Sequence, residues 1–175
     1  LFITIYFHKI HIMNKVILVE PEIPQNTGTI ARLCAATNSE LILVGKLGFS
    51  LEDKYLKRAG LDYWKYVNWR HEENKELFFT QLNIVNEDPW LLSTKGKKIY
   101  TDVKFQKHSM LIFGSETRGL SDEIRDRFCE QLITIPMENK NIRSLNLANS
   151  VSIVLYEAIR QSTNVKKLSI DKVLK

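Results

Sequence analysis

Residues Val16-Ile17-Leu18-Val19-Glu20-Pro21 are the stretch that decides the fold class of this 175-residue chain. Four consecutive apolar residues that end at a charge and a proline are typical of a strand buried on both faces, as in a parallel sheet. The same pattern predicts four more strands, at residues 41–44, 90–92, 110–113 and 132–135, and a weaker one at residues 66–67.

Helical patterns lie between these strands, so strand and helix alternate along the chain. This alternation predicts an α/β domain in which helices cover a mostly parallel sheet. The longest helix, at residues 145–161, has an apolar face that would pack on the core and could equally support a dimer interface. The other predicted helices span residues 27–36, 53–59, 72–82 and 122–128, the last with Ser121 as its N-cap.

The length fits one domain with a core of its own, because a chain of this size buries roughly two-thirds of its surface on folding. Residues 13–161 are predicted to form that domain. Residues 1–12 are apolar but too short to span a bilayer, which takes about 20 residues, and they lack the features of a signal peptide. We expect them to lie outside the fold, the alternative being a short membrane-touching segment. Residues 162–175 are expected to be a solvated tail.

The formal net charge of +5 and the pI of about 9.1 favour a polyanionic partner, because cations that bind phosphates release counterions. Many basic proteins bind no nucleic acid, so this bias is mild. Cys34 and Cys129 form no CxxC motif and no cluster with histidine, which gives no support for a zinc site or a disulfide. Cys34 is predicted to be a buried apolar residue rather than a reactive nucleophile. A reducing cytoplasm is the simplest setting.

The seven glycines never form GxGxxG or GxxxxGK[ST], the loops that cradle dinucleotides and nucleoside triphosphates. The sequence therefore gives no support for a Rossmann dehydrogenase, a Rossmann-type methyltransferase or a P-loop NTPase. The metal-binding motif HExxH and the nucleophile elbow GxSxG are also missing.

The first segment with polar chemistry, residues 21–34, is a strand exit followed by a helix start. Asn26 or Thr27 is predicted to cap that helix, and its first N–H groups could hold an anion such as phosphate. Arg32 is predicted to point away from the apolar face of the helix. It could therefore reach a ligand or remain a solvated surface arginine.

The second segment, residues 111–120, is a buried strand that leads into a loop with a glycine at each end. Gly114 and Gly119 permit unusual backbone angles or close approach to a flat ligand. Glu116 and Arg118, between them, could also simply pair with each other or with nearby backbone.

The third segment, residues 133–149, is another strand exit followed by a polar loop and a helix start. Ser144 could be an ordinary N-cap of that helix, a role that could hold together with one in a ligand site. Asn146 and Asn149 are poor helix formers, so their place near the helix start indicates a function. Backbone groups and a hydroxyl at this point suit a small polar molecule with an apolar body.

Taken together, residues 26–32, 113–119 and 135–149 resemble the three motifs of the SPOUT superfamily of RNA 2′-O-methyltransferases, in the same order. The strings at residues 20–34, 48–49, 58–64 and 143–147 are similar to those of the bacterial tRNA (cytidine/uridine-2′-O-)-methyltransferases within it. The resemblance covers residues 14–161.

The resemblance implies an α/β knot fold with a C-terminal trefoil knot, and a homodimer in the cytoplasm. It implies transfer of a methyl group from S-adenosylmethionine to the ribose 2′-hydroxyl of the tRNA wobble nucleotide, a cytidine or modified uridine of tRNA-Leu isoacceptors, with no metal and no membrane partner. The residues that match the family's cofactor site are Leu92, Gly114, Ile135, Met137, Ser144, Leu145 and Asn146.

The resemblance also implies that Arg32 activates the ribose hydroxyl. A guanidinium is a poor proton acceptor, because its pKa exceeds about 12. We therefore expect Arg32 to orient the hydroxyl or to bind a phosphate that helps remove the proton, with Asn26 shaping the pocket.

Three cations at i, i+3 and i+4 give one face of the helix at residues 53–59 a positive charge. They are Lys54, Lys57 and Arg58, and Tyr63 and Trp64 follow them closely. We expect this face to contact phosphates and the aromatic rings to stack on an unpaired base. The alternative is an ordinary solvated face.

Two other functions remain open at this point. One is a related SPOUT enzyme that methylates another tRNA position or ribosomal RNA. The other is a noncatalytic RNA-binding protein that keeps a vestigial cofactor pocket.

Overall fold

The computed structural model describes residues 14–51, 64–82 and 89–162. In these residues seven strands form one sheet, in which every pair of neighbours is parallel. The strands are β1 (Lys15–Val19), β2 (Glu40–Val44), β3 (Asn68–Glu72), β4 (Pro89–Leu92), β5 (Lys98–Ile99), β6 (Met110–Phe113) and β7 (Leu132–Thr134). Their order across the sheet is β3-β2-β1-β6-β4-β7-β5.

Helices cover both faces of this sheet. Successive residues of each strand point to opposite faces, so each strand contributes side chains to two cores. Val16 and Leu18 of β1 belong to a core that also contains residues of the first and last helices. Ile17 and Val19 belong to a second core, with residues of the two middle helices. The helices are α1 (Pro24–Thr37), α2 (Lys75–Leu82), α3 (Asp122–Arg127) and α4 (Leu147–Ser162), and a 3₁₀ turn spans Cys129–Gln131.

The predicted α/β fold with a parallel sheet is confirmed, and so are the five strands read from apolar runs. The sixth, at residues 66–67, was placed wrongly. The chain turns at Tyr66, and β3 begins at Asn68. Its sequence is mostly polar because it lies at the edge of the sheet, where the pattern of a doubly buried strand does not apply.

One helix begins later than predicted because its expected first residue belongs to the preceding strand. Glu72, predicted to open a helix, ends β3, and α2 begins only at Lys75. Ser121 caps α3 as predicted, since its side chain accepts from the Ile124 N–H. The predicted helix at residues 53–59 lies outside the described residues, as do residues 1–13 and 163–175.

One connection crosses another strand. Strands β4 and β5 flank β7 on either side, yet only residues 93–97 join them. A Cβ atom on Gly96 would lie 2.5 Å from the carbonyl carbon of Ile133, in β7. Residues 93–97 therefore pass over the backbone of β7 at a distance that only glycine allows.

In the part of the chain that the structure describes, no helix combines the length and the apolar character that a membrane span requires. Those residues also contain no group of three or more histidine, cysteine, aspartate or glutamate side chains placed to hold a metal ion.

The two cysteines differ in burial. Burial raises the pKa of the Cys34 thiol from 9.0 to about 12, whereas Cys129 is exposed. Because only a thiolate is nucleophilic, we expect iodoacetamide near pH 8 to alkylate one cysteine of the native protein and both after unfolding in urea, counted by mass spectrometry. Rapid alkylation of both cysteines in the native protein would contradict the burial of Cys34.

The raised pKa of Cys34 also links stability to pH. Its contribution to the free energy of unfolding is fully present below pH 9.0 and is lost as the pH rises toward 12, because the unfolded chain releases the thiol proton more readily.

Candidate functional site

A cavity of about 580 Å³ lies at the carboxyl ends of β4, β6 and β7, next to the start of α4. The carboxyl edge of parallel strands is where α/β proteins commonly bind ligands, and the volume is that of a small-molecule site. All seven residues that the resemblance implied for the cofactor line this cavity: Leu92, Gly114, Ile135, Met137, Ser144, Leu145 and Asn146.

The loop after β6 forms one wall of the cavity. It folds back on itself, because the Gly119 N–H donates to the Ser115 carbonyl oxygen over 2.9 Å. Gly119 has a φ of +67°, and a Cβ atom on Gly114 would lie only 2.1 Å from the Gly119 carbonyl carbon. Both glycines are therefore needed, one for its backbone angle and the other for the space it leaves.

A chain of side-chain hydrogen bonds joins the three segments that the sequence singled out. Asn26, in α1, donates its amide to Glu116 over 2.9 Å, and its oxygen accepts from the Asn146 amide at 3.0 Å. Asn26 is only 8% exposed and also lines the cavity. The carboxamide of Asn26 is thus fixed between the loop after β6 and the start of α4.

Asn146, not Ser144, caps α4. The Asn146 side-chain oxygen accepts from the backbone N–H groups of Ala148, at 2.9 Å, and Asn149, at 3.3 Å. The helix starts two residues later than predicted, so Ser144 precedes the cap and its side chain belongs to the cavity wall. The unusual asparagine near the helix start is explained by this cap.

The start of α1 also differs from prediction. The helix begins at Pro24, whose fixed φ suits the first helical position, so Asn26 and Thr27 lie inside the first turn and do not cap it. The N-cap position, Ile23, makes no side-chain capping bond.

The anion at this helix start is a carboxylate of the chain itself. Glu116 accepts from the backbone N–H groups of Glu22, at 2.8 Å, and Ile23, at 3.2 Å. A negative charge is favourable at this end of a helix. Glu116 thus occupies the two N–H groups immediately before α1, and the expectation that the first N–H groups of the helix hold a phosphate stays a prediction.

Arg32 is exposed on α1, as predicted, while Cys34 on the same helix is buried. It does not belong to the residues that line the cavity of its own chain. The structure therefore unites Asn26 with the cavity and leaves Arg32 farther along the helix.

The predicted RNA-binding face is described only at its end. Lys54, Lys57, Arg58 and Tyr63 lie outside the described residues. Trp64 is half-buried, packs against the core and has its ring centre 5.0 Å from that of Trp69. Trp64 thus has an intramolecular aromatic partner, whereas the sequence predicted that its ring stacks on an RNA base.

Four cations on the cavity wall were not predicted as site residues. The Arg125 side chain is largely buried and donates to the Leu120 carbonyl oxygen and to Asp122. Two carboxylates, Glu116 and Asp122, also line the cavity, so cations outnumber anions there. The four cations are Lys95, Arg118, Arg125 and Arg143. In the sequence, Arg118 lies in the loop after β6, Arg125 follows that loop and Arg143 precedes Ser144, but no motif marked these cations as site residues.

Comparison with known proteins gives consistent results. Residues 13–156 match the model of the SpoU rRNA Methylase family. A tRNA (cytidine(34)-2′-O)-methyltransferase of Methylovorus glucosotrophus is 50% identical over 150 residues, which cover 85% of this chain and 96% of that protein.

Two solved structures are similar over most of this chain. One, concerned with the 2-OH methylation of C/U34 on tRNA, is 40% identical, with a TM-score of 0.76, and the match covers 85% of this chain and 95% of the other. The other is an AdoMet-bound rRNA methyltransferase from Sinorhizobium meliloti, 27% identical, with a TM-score of 0.76, covering 85% of this chain and 56% of the other.

Proposed function

The chain belongs to the SpoU rRNA Methylase family, and from that premise we propose that it methylates the ribose 2′-hydroxyl of tRNA nucleotide 34, using S-adenosylmethionine. The observation that carries the proposal is the hydrogen-bonded series Glu116, Asn26 and Asn146, which joins all three motif segments at one cavity. The nucleotide is proposed from relatives that are 40% to 50% identical over nearly their full length.

The cavity fits the proposed cofactor. Its wall combines an apolar part, including Leu92 and Ile135, with backbone and hydroxyl groups, as a nucleoside that carries an amino acid would require. The loop after β6, which forms one wall, closes on itself so tightly that a Cβ on Gly114 would lie 2.1 Å from the Gly119 carbonyl carbon. The residues that would hold the cofactor are Leu92, Gly114, Ile135, Met137, Ser144, Leu145 and Asn146.

When bound, S-adenosylmethionine supplies an activated methyl group on a sulfonium, and for that reason we propose that no metal takes part. The role of Asn26 is to shape the pocket, since both ends of its carboxamide are already hydrogen-bonded. Arg32 is proposed to orient the ribose or to bind a phosphate that helps remove the 2′-proton, because a guanidinium remains protonated. Fixed geometry at such a site contributes to rate by avoiding reorganisation.

We further propose a homodimer formed by α1 and α4, which pack side by side on one face of the sheet. Residues 25, 29, 32 and 36 are exposed along one side of α1, and Tyr156 of α4 is 56% exposed. Arg32 lies on this exposed side, so contact between two copies would bring it toward a site that it does not reach within its own chain.

The trefoil knot and the cytoplasmic location are proposals as well. The passage of residues 93–97 over β7, at the distance set by Gly96, supports a threaded chain. A tRNA substrate supports the cytoplasm, and so does an exposed cysteine with a free thiol.

The test is an assay of the purified full chain with labelled S-adenosylmethionine and total tRNA from a strain that lacks the enzyme. Nuclease digestion and mass spectrometry then locate the methyl group. We expect a 2′-O-methyl at nucleotide 34, a cytidine or modified uridine, of tRNA-Leu isoacceptors. Label at another tRNA position would identify a different target nucleotide, and label on ribosomal RNA in a parallel assay, with none on tRNA, would identify ribosomal RNA as the substrate. If the protein binds RNA but transfers no labelled methyl group, under conditions in which a control enzyme does, the result would indicate a noncatalytic RNA-binding protein.

A further inference from the structure

Glu22 lies outside the set of residues that line the cavity, yet its side chain holds the loop that does. One carboxylate oxygen accepts from the Thr117 hydroxyl at 2.6 Å and from the Thr117 backbone N–H at 3.2 Å. The other oxygen is 3.6 Å from a guanidinium nitrogen of Arg118. Hydrogen bonds to a carboxylate are stronger than those between neutral groups.

The main chain around Glu22 is held from the opposite side. The Gly48 N–H donates to the Pro21 carbonyl oxygen over 2.9 Å. A Cβ atom on Gly48 would lie 2.8 Å from the Cα of Glu22, so the two backbones are in direct contact. The Glu22 carboxylate is therefore presented to Thr117 from a fixed backbone.

Glu22 and Glu116 act on each other's segments in a reciprocal way. Glu116, next to Thr117 in the loop, accepts from the Glu22 backbone N–H at 2.8 Å, while Glu22 accepts from Thr117. Each carboxylate thus satisfies backbone donors of the opposite segment. The loop between Gly114 and Gly119 would otherwise be held mainly by its own turn, since glycines at both ends give it wide conformational freedom.

We propose that Glu22 is a positioning residue for the cofactor loop and acts through Thr117. Its carboxylate sets the position of the loop backbone at the cavity wall, and in this way it preorganises the cavity for S-adenosylmethionine. The proposal rests on the proposed function for the identity of the ligand. The placement of the loop itself is independent of that identity.

The experiment compares Glu22→Gln, Thr117→Val and the double variant with the parent chain. Isothermal titration with S-adenosylhomocysteine should show about tenfold weaker binding for each single variant, because Glu22→Gln removes the charge of the acceptor and Thr117→Val removes the hydroxyl donor. The double variant should bind no more weakly than Glu22→Gln, since both changes remove the same interaction. Thr117→Ser, which keeps the hydroxyl, should recover the affinity that valine loses. At saturating cofactor, kcat should remain close to that of the parent.

The control is Glu73→Gln, which removes the same charge at an exposed position outside the cavity. Hydrogen exchange of the cofactor-free protein supplies a second readout: the Thr117 amide should exchange about tenfold faster in Glu22→Gln than in the parent or the control. Unchanged exchange and affinity in Glu22→Gln would overturn the proposal, and so would fully additive effects in the double variant. If the parent binds no S-adenosylhomocysteine, the proposed function fails, and the exchange data still decide the role of Glu22.

Discussion

Gly114→Ala is expected to destabilise the protein by about 3 kcal/mol, the upper end of the cost of overpacking, and to abolish measurable cofactor binding. The added methyl group would lie 2.1 Å from the Gly119 carbonyl carbon and 2.2 Å from the Leu120 nitrogen. These are backbone atoms of the same loop, so no side chain can rotate away. Urea unfolding measures the stability, and titration with S-adenosylhomocysteine measures the binding.

Gly119 provides the matched control in the same loop. A Cβ atom there would have no other heavy atom within 4 Å, but its φ of +67° disfavours other residues. Gly119→Ala should therefore cost only about 1–2 kcal/mol, and Gly119→Asn should cost less, because asparagine tolerates this backbone region. If Gly114→Ala destabilised the protein no more than Gly119→Ala does, that result would contradict the tight closure of the loop.

Arg32→Ala is expected to lower kcat by about 100-fold, the scale on which a group that assists proton removal contributes to catalysis. The affinity for S-adenosylhomocysteine should stay at the parent value, since Arg32 does not line the cavity. Single-turnover methylation of tRNA at saturating cofactor, together with titration, separates the two effects. Arg32→Lys would retain the charge without the planar fork, so recovery by lysine would indicate a phosphate contact.

Arg70→Ala is the control for Arg32. Arg70 is also partly exposed, but it lies on the edge strand β3 and pairs with Glu72 of the same strand and with Glu40 of β2. Its removal should leave kcat unchanged and should have little effect on stability, as is usual for exposed ion pairs. Parent-like kcat in Arg32→Ala would remove Arg32 from the mechanism.

The central strands could be predicted because both of their faces are buried, which requires a continuous apolar run such as residues 16–19. The edge strands could not be predicted from such a run. The edge strand β3 contains Arg70 and His71, and β5 has only two residues, both exposed. A strand at an edge is defined mainly by backbone pairing with its neighbour, and that pairing leaves no apolar signal in the sequence.

The seven residues that the resemblance implied for the cofactor all line the cavity, because the motif segments follow strands whose carboxyl ends meet at one edge, but the four cations on the same wall were not predicted. The starts of α1 and α4 were not predicted correctly. The carboxylate at the start of α1 comes from Glu116, more than ninety residues away from Glu22 in sequence, and Asn146 replaced Ser144 as the cap of α4. The Glu116 partner depends on the tertiary fold, which a capping pattern does not consider. The Asn146 cap is local, and it was missed because the helix start was predicted two residues too early. The roles assigned to Arg32 and to the cationic helix stay predictions.

The place of β7 between β4 and β5 has a consequence for synthesis on the ribosome. Until residues 132–134 emerge, the positions beside β4 and β5 that β7 will fill are empty, and the backbone groups there have no strand partner. Strand β7 and α4 are made after every other described element, so during synthesis the place between β4 and β5 can be filled only near the end. A chain that stops before residue 132 therefore exposes unpaired strand edges, and such products should be the ones that chaperones and proteases remove.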